Sequence, residues 1–223
     1  TTDEEARAAA ELTLARIAFE YTGRMDLARE LFERSLARKE TQDEAAMDFR
    51  SRADSRAMRY RIHDQLASIF RRAERTDREK AELGKARAIY YALEAESKEY
   101  EKEEEELKKQ IFTIKKDLLG REDPDLQKDY YRLLRIDLPA VQDRVRYVRV
   151  RQSSMPLPGL LERLAFLSQR ERDFTTALNL YQEIIARGNG EEATRARANI
   201  ERVNLTMQDG RNRSPLLPSR FER

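Results

Sequence analysis

Apolar residues recur every seven positions between residues 83 and 118, in two columns offset by three. The first column holds Leu83, Tyr90, Ile111 and Leu118, interrupted by Ser97 and Glu104, and the second holds Ala86, Leu93, Tyr100, Leu107 and Ile114. A stripe only two columns wide cannot bury itself, so a helix that carries it needs another helix laid along it. The pattern predicts a protein built around long helices.

Composition favours the same conclusion. Charged residues make up 39% of the 223-residue chain, which contains only 7 Gly and 6 Pro, whereas ordinary globular proteins have about 25% charged residues. The nine Tyr and eight Phe argue against disorder. We therefore predict an all-α fold, an α-solenoid of helical hairpins that includes one long antiparallel coiled-coil hairpin.

Charge and residue usage restrict the classes of partner and compartment. The net charge of +2 gives no overall attraction to nucleic acid, and no apolar run approaches the ~20 residues of a membrane span. Because the chain has no Cys, it has no disulfide and no thiolate site. The lack of Cys and of an initiating Met favours the bacterial periplasm or another extracytoplasmic site, with the cytoplasm as the alternative.

The first half of the chain divides into two predicted hairpins. Segment 1–40 is interrupted at Gly23, which predicts a short hairpin. Capping boxes at Thr41–Glu44 and Thr76–Glu79 predict the starts of two long helices within segment 41–121. Because only a short turn joins these helices, they should fold back as an antiparallel hairpin.

The second half contains three further segments. Segment 122–152 begins with Asp123-Pro124, a cap followed by Pro at the first helical position. Pro139 lies inside its apolar spacing, so we expect a kinked helix that lies along the long hairpin. Segment 153–208 should form a hairpin and a capping helix, and 209–223 an extended tail with two prolines.

The first and last hairpins resemble each other. Setting Ala28 over Ala177 also aligns Leu12 with Leu161, Ala15 with Leu164, Ala18 with Leu167, Leu31 with Leu180, Phe32 with Tyr181 and Leu36 with Ile185. This pattern resembles the tetratricopeptide repeat, a helical hairpin with small residues where its helices touch. A third, degenerate unit would span Leu66 to Tyr90, with a turn lengthened by several residues.

The resemblance implies a function as well as a fold. In tetratricopeptide repeats the first helix of each hairpin lines a concave, partner-binding face. The same alignment carries these positions onto Thr13, Ile17, Glu20 and Tyr21 in the first hairpin and onto Glu162, Phe166, Gln169 and Arg170 in the last. The expectation is a non-enzymatic scaffold or adaptor that binds a protein or peptide within a larger assembly. Burial of these side chains against the long hairpin is the alternative.

A structural role stays open at this point. The chain could be a coiled-coil subunit that self-associates through the helix at 77–119, giving a homo-oligomer through the long helices. How the apolar stripe is covered, within one chain or by a second copy, distinguishes the two functions. The tail adds a possible docking segment, since Leu216, Leu217 and Phe221 are apolar anchors for a helical groove of the same or another copy.

No residue pattern predicts catalysis, a cofactor or a metal site. His63 is the only histidine and lies in an apolar stripe, which predicts a packed side chain. Asp123–Asp129 resembles the start of a calcium loop, but Pro124 interrupts it and Leu134 occupies the position of the bidentate Glu. We therefore expect neither enzyme activity nor a bound cofactor or metal.

Overall fold

A computed structural model describes residues 2–41, 43–119, 121 and 123–212. These residues form helices joined by short connections, and none of them lies in a strand, so the all-α prediction is confirmed. The elements are α1 (Thr2–Glu20), α2 (Met25–Glu40), a 3-10 helix (Glu44–Ala46), α3 (Phe49–Arg72), α4 (Thr76–Asp117), α5 (Pro124–Arg132), a π-helical segment (Leu133–Asp137), α6 (Leu138–Ser153), α7 (Leu157–Arg170), α8 (Phe174–Arg187) and α9 (Gly190–Asn212). None of the described helices combines the length and the apolar character that spanning a membrane requires.

Three helix pairs are joined by similar turns. Each turn has one residue with positive φ: Gly23 at 64°, Glu74 at 57° and Arg172 at 64°. The N–H of the following residue closes the first helix, from Arg75 to the Phe70 carbonyl at 2.8 Å and from Asp173 to the Ser168 carbonyl at 2.9 Å. The α3–α4 turn is therefore as short as the α7–α8 turn, and the expected lengthening of the third unit is wrong.

The α1–α2 turn holds one residue more than the other two. The Arg24 N–H donates to the Ala18 carbonyl, six residues back, at 2.9 Å. Counted from these closing bonds, Ala15 is equivalent to Ala67 and Ala165, and all three alanines are fully buried. The second helices align as the sequence predicted, whereas the first helices are shifted by one residue.

Neither predicted capping box forms. Thr41 ends α2. Asp48 begins α3 instead, because its carboxylate accepts hydrogen bonds from the backbone N–H groups of Arg50 and Ser51 at 2.8 and 2.9 Å. Thr76 is the first residue of α4 and has no side-chain cap before it, since the preceding turn leads directly into the helix.

The two long helices form an antiparallel pair of unequal lengths. The Arg52 guanidinium of α3 donates to the Glu96 carboxylate of α4 at 2.7 Å. Because α4 has 42 residues and α3 only 24, the second half of α4 extends beyond α3. Two ion pairs join α6 to this extension, Arg144–Glu103 at 3.1 Å and Arg149–Glu101 at 2.9 Å. Helix α6 therefore lies along the extension of α4.

The proline in this segment lies just after a π-helical turn. Asp123 caps α5 as predicted, accepting from the N–H groups of Asp125 and Leu126 at 3.1 Å each. Pro139 cannot donate a backbone hydrogen bond, and its ring would clash with the carbonyl four residues earlier in a regular α-helix. That carbonyl belongs to Arg135, inside the wider π-helical segment, which lets the helix continue.

The buried apolar residues form two clusters that share α3. The larger cluster joins α3, α4 and α6 to α7, α8 and α9, and includes Tyr60, Leu83, Leu93, Val148, Leu161, Leu180 and Val203. The smaller cluster joins α1, α2 and α3, and includes Phe32, Ile62 and Phe70. The three hairpins are thus held together by apolar packing along the chain.

Helix α9 extends further along the chain than expected. Residues 209–212, assigned to the extended tail, continue α9. The predicted tail anchors Leu216, Leu217 and Phe221 lie outside the described residues.

Candidate binding grooves

A groove lies between the end of α3 and α7, and we refer to it as the α3–α7 groove. It has a volume of about 710 Å³. It is lined by Arg71, Glu74, Thr76, Glu79, Glu162, Arg163, Phe166, Leu167, Gln169, Arg170, Tyr181, Asn199 and Arg202. The structure therefore brings together all four positions that the resemblance implied on α7.

Arg163 joins α7 to the α3–α4 hairpin at this groove. Its guanidinium donates to the Asp64 carboxylate at 2.8 Å and to the Glu79 carboxylate at 3.2 Å. Glu79 is only 4% exposed. It lies five residues after the positive-φ residue of its turn, and the equivalent position of the α7–α8 hairpin holds Ala177. Because a buried carboxylate is costly without a partner, Arg163 is needed at this position.

The groove also holds charges that no described side chain neutralises. Three arginines have no ion-pair partner among the described residues: Arg71, Arg170 and Arg202. Two carboxylates in the groove, Glu74 and Glu162, are likewise unpaired there, which leaves three free cations against two free anions. Phe166, in the same groove, exposes 55% of its surface. The groove thus combines an exposed aromatic ring with guanidinium groups that are free to bind.

Tyr181 supplies a neutral hydroxyl to the same groove. Burial raises the pKa of this phenol, the charge of Glu162 raises it further, and Gln169 and Arg202 oppose the increase only in part. The Gln169 Nε2 donates to the Tyr181 hydroxyl oxygen at 2.6 Å. The phenol therefore stays protonated and keeps its own proton for donation.

A second groove, of about 520 Å³, lies between α1 and α3. Its α1 lining is Leu12, Arg16 and Glu20. These residues are the structural equivalents of Glu162, Phe166 and Arg170, because the α1–α2 turn holds one residue more than the α7–α8 turn. Both grooves therefore use the same face of their first helices.

The one-residue shift changes the α1 positions that line this groove. Of the four positions expected on α1, Glu20 lines the second groove. Thr13 and Ile17 on α1, and Tyr21 just after it, are exposed and are not part of this lining. Turn length is not visible in the apolar pattern, so the alignment of the sequence could not place them.

Some groove residues were not anticipated from the sequence. Arg71 comes from the last turn of α3, and Asn199 and Arg202 come from α9. Tyr60 lines the α1–α3 groove; burial raises its pKa, and its hydroxyl has no hydrogen-bond partner within the described structure. The alignment could not find Arg202 because it compares hairpins and leaves out the capping helix.

Comparison with known protein families, with curated proteins and with solved structures finds no match to this chain. The tetratricopeptide resemblance therefore rests on the amino-acid sequence alone. Within the described part of the chain, no three His, Asp or Glu side chains are grouped so that they could hold a metal ion.

Proposed function

We propose that this chain is a tetratricopeptide-like scaffold that binds a segment of another protein in the α3–α7 groove and catalyses no reaction. The observation that carries the proposal is the exposed ring of Phe166 in a groove with three arginines that have no ion-pair partner among the described residues. Aromatic residues and arginines are the side chains most enriched at the energetic centres of protein interfaces. The partner would bind against α7, which Arg163 already joins to the α3–α4 hairpin.

The repeat interpretation has support from the hairpins themselves. Their turns share a positive-φ residue at the same place. Ala15, Ala67 and Ala165 are equivalent and fully buried, as expected where small residues let helices approach closely. Hairpins stacked in this way form a solenoid whose first helices line one concave face. The α1–α3 and α3–α7 grooves would be two parts of that face.

The charges of the groove indicate an acidic partner segment. Arginine binds carboxylates through paired, charge-assisted hydrogen bonds. Arg71, Arg170 and Arg202 are available for this role, whereas the Arg163 guanidinium is already occupied by two carboxylates. Phe166 would contact an apolar side chain of the same segment. We therefore propose a ligand segment that combines Asp or Glu with one apolar anchor.

Selection of a displayed random-peptide library on the immobilised chain tests this proposal. Selected peptides should combine carboxylates with an apolar residue, and a Phe166→Ser/Arg170→Glu variant should not retain them. The matched control is Leu205→Ser, since Leu205 is 61% exposed on α9 and does not line the groove. Failure to enrich peptides, enrichment of basic peptides, or retention of the same peptides by the groove variant would contradict the proposal.

A further inference from the structure

Beyond the N-terminal end of α3, the chain extends as a two-helix arm. We define the arm as residues 101–119 of α4 and its end, together with α5 and the π-helical segment. No residue from 98 to 119 is buried, and α5 has no buried residue either. Because neither stretch contains a buried residue, this part of the molecule keeps apolar surface in water.

The heptad stripe of α4 is used differently in its two halves. Leu83, Ala86 and Leu93 are fully buried within the chain. In the arm, Leu107, Ile111, Ile114 and Leu118 stay only partly buried. A self-association surface therefore cannot span the whole helix at 77–119, because its first half is already covered. Only the arm is free for this role.

Large apolar side chains gather on one side of the arm. Phe112 is 70% exposed, Leu119 77% and Tyr131 49%. Phe112 and Leu119 are seven residues apart and so share one face of the helix. Phe112 comes one residue after Ile111, which belongs to the heptad stripe and is partly buried. Tyr131 likewise comes one residue after Tyr130, which is partly buried. Because the two helices run antiparallel, a step of one residue along each helix turns the rings of Phe112 and Tyr131 toward the same side of the arm.

The charges along the arm are unevenly distributed, and Glu101 and Glu103 are already paired with arginines of α6. Residues 101–106 contain five Glu and one Lys, a net charge of −4, and residues 107–116 contain four Lys and no acid, a net charge of +4. Two of these lysines, Lys115 and Lys116, have no ion pair with any described residue. An antiparallel second copy centred near Gln110 would place Glu105 opposite Lys115, and the same contact would recur on the other side of the centre.

We infer that two copies of this chain associate through their arms, antiparallel, around a two-fold axis near Gln110. Such a pair is isologous, so each favourable contact occurs twice. It covers Phe112, Leu119 and Tyr131 and places Glu105 of each arm opposite Lys115 of the other. The result is a four-helix arrangement that buries the partly exposed heptad residues of the arm. This association is independent of ligand binding in the α3–α7 groove.

Sedimentation equilibrium of the whole chain, with charge-reversal variants, tests the association. Glu105→Lys/Glu106→Lys and Lys115→Glu/Lys116→Glu should each weaken the dimer about tenfold or more, which corresponds to ~1.4 kcal/mol. An equimolar mixture of the two variants should dimerise again, because positions 105 and 115 of facing arms then carry opposite charges. Phe112→Ser should also weaken the dimer, whereas Phe166→Ser, a similarly exposed Phe outside the arm, should not.

Circular dichroism establishes that each variant keeps its helical content. A chain that stays monomeric up to a concentration on the order of 1 mM, equivalent to ~4 kcal/mol of association, would overturn the inference. A dimer that tolerates both charge reversals and Phe112→Ser would overturn it as well. Failure of the mixed variants to associate would exclude the antiparallel register.

Discussion

The Nδ1 atom of His63 lies 2.6 Å from a carboxylate oxygen of Glu82, and both side chains are buried between α3 and α4. Counted from the turns, the equivalent positions of the α7–α8 hairpin hold Leu161 and Leu180. The central hairpin therefore has a polar pair where the last hairpin has two leucines. The prediction that His63 packs in the core is confirmed.

Exchange of this pair for leucines tests the equivalence of the two hairpins. Removing one partner of a buried charged pair costs about 3–5 kcal/mol, whereas replacing both by apolar residues is often neutral or stabilising by about 1–4 kcal/mol. We expect His63→Leu and Glu82→Leu each to lower the free energy of unfolding and the double variant to recover it. Urea unfolding followed by circular dichroism measures all three. A double variant as unstable as the sum of the single variants would contradict the equivalence.

The stability of the pair should depend on pH in acid. Burial raises the pKa of Glu82, but hydrogen bonds from His63 and Lys85 lower it by more, so the pKa lies below its usual 4.5. A carboxylate with a lowered pKa stabilises the fold above its unfolded pKa and loses this contribution as the pH falls through the folded value. Below pH 4.5 the wild type should lose stability faster than the His63→Leu/Glu82→Leu variant. Parallel loss in the two proteins would refute this assignment.

Arg163 should be more important for stability than an exposed arginine. In Arg163→Leu the buried Glu79 carboxylate loses its ion-pair partner, and leaving a buried charge unpaired costs about 3–5 kcal/mol. The matched control is Arg195→Leu, which removes an exposed pair with Glu191 worth only about 0.3–0.5 kcal/mol. Thermal unfolding compares the two variants. Equal effects would mean that Arg163 does not hold α7 in place.

The small residues at the helix contacts should not tolerate large substitutions. Ala177 is fully buried on α8, whereas Ala186 on the same helix is exposed. Overpacking a closely packed site costs about 1–3 kcal/mol or more, so Ala177→Trp should lower the melting temperature and Ala186→Trp should leave it nearly unchanged. A melting temperature insensitive to Ala177→Trp would argue against close helix packing in this hairpin.

Local signals of sequence predicted much of the fold. Asp123 caps α5 as the sequence predicted, accepting from the backbone N–H groups of Asp125 and Leu126. A cap depends only on a few neighbouring residues, so sequence is informative there. The box at Thr41 failed because Asp48, nearer the first helical turn, provides a competing cap.

Features that depend on tertiary structure could not be predicted from the sequence. The extra residue in the α1–α2 turn moves the groove positions of α1 by one, and no apolar spacing records it. The apolar pattern of α4 does not mark Glu79 and Glu82, yet both are buried, and Arg163 and His63 contact them from other helices. The partners of a buried charge lie far away in sequence, which is why the pattern could not identify them.

Fluorescence anisotropy with labelled acidic peptides selected on the wild-type chain tests the binding groove most directly. Arg170→Glu and Arg202→Glu should each weaken binding about tenfold or more, because each replaces a carboxylate-binding group by a repelling one. Arg197→Glu makes the same change at an exposed position of α9 outside the groove and should alter the affinity by roughly twofold or less. Equal affinities for all four proteins, or an equal loss in Arg197→Glu, would contradict the α3–α7 groove as the binding site.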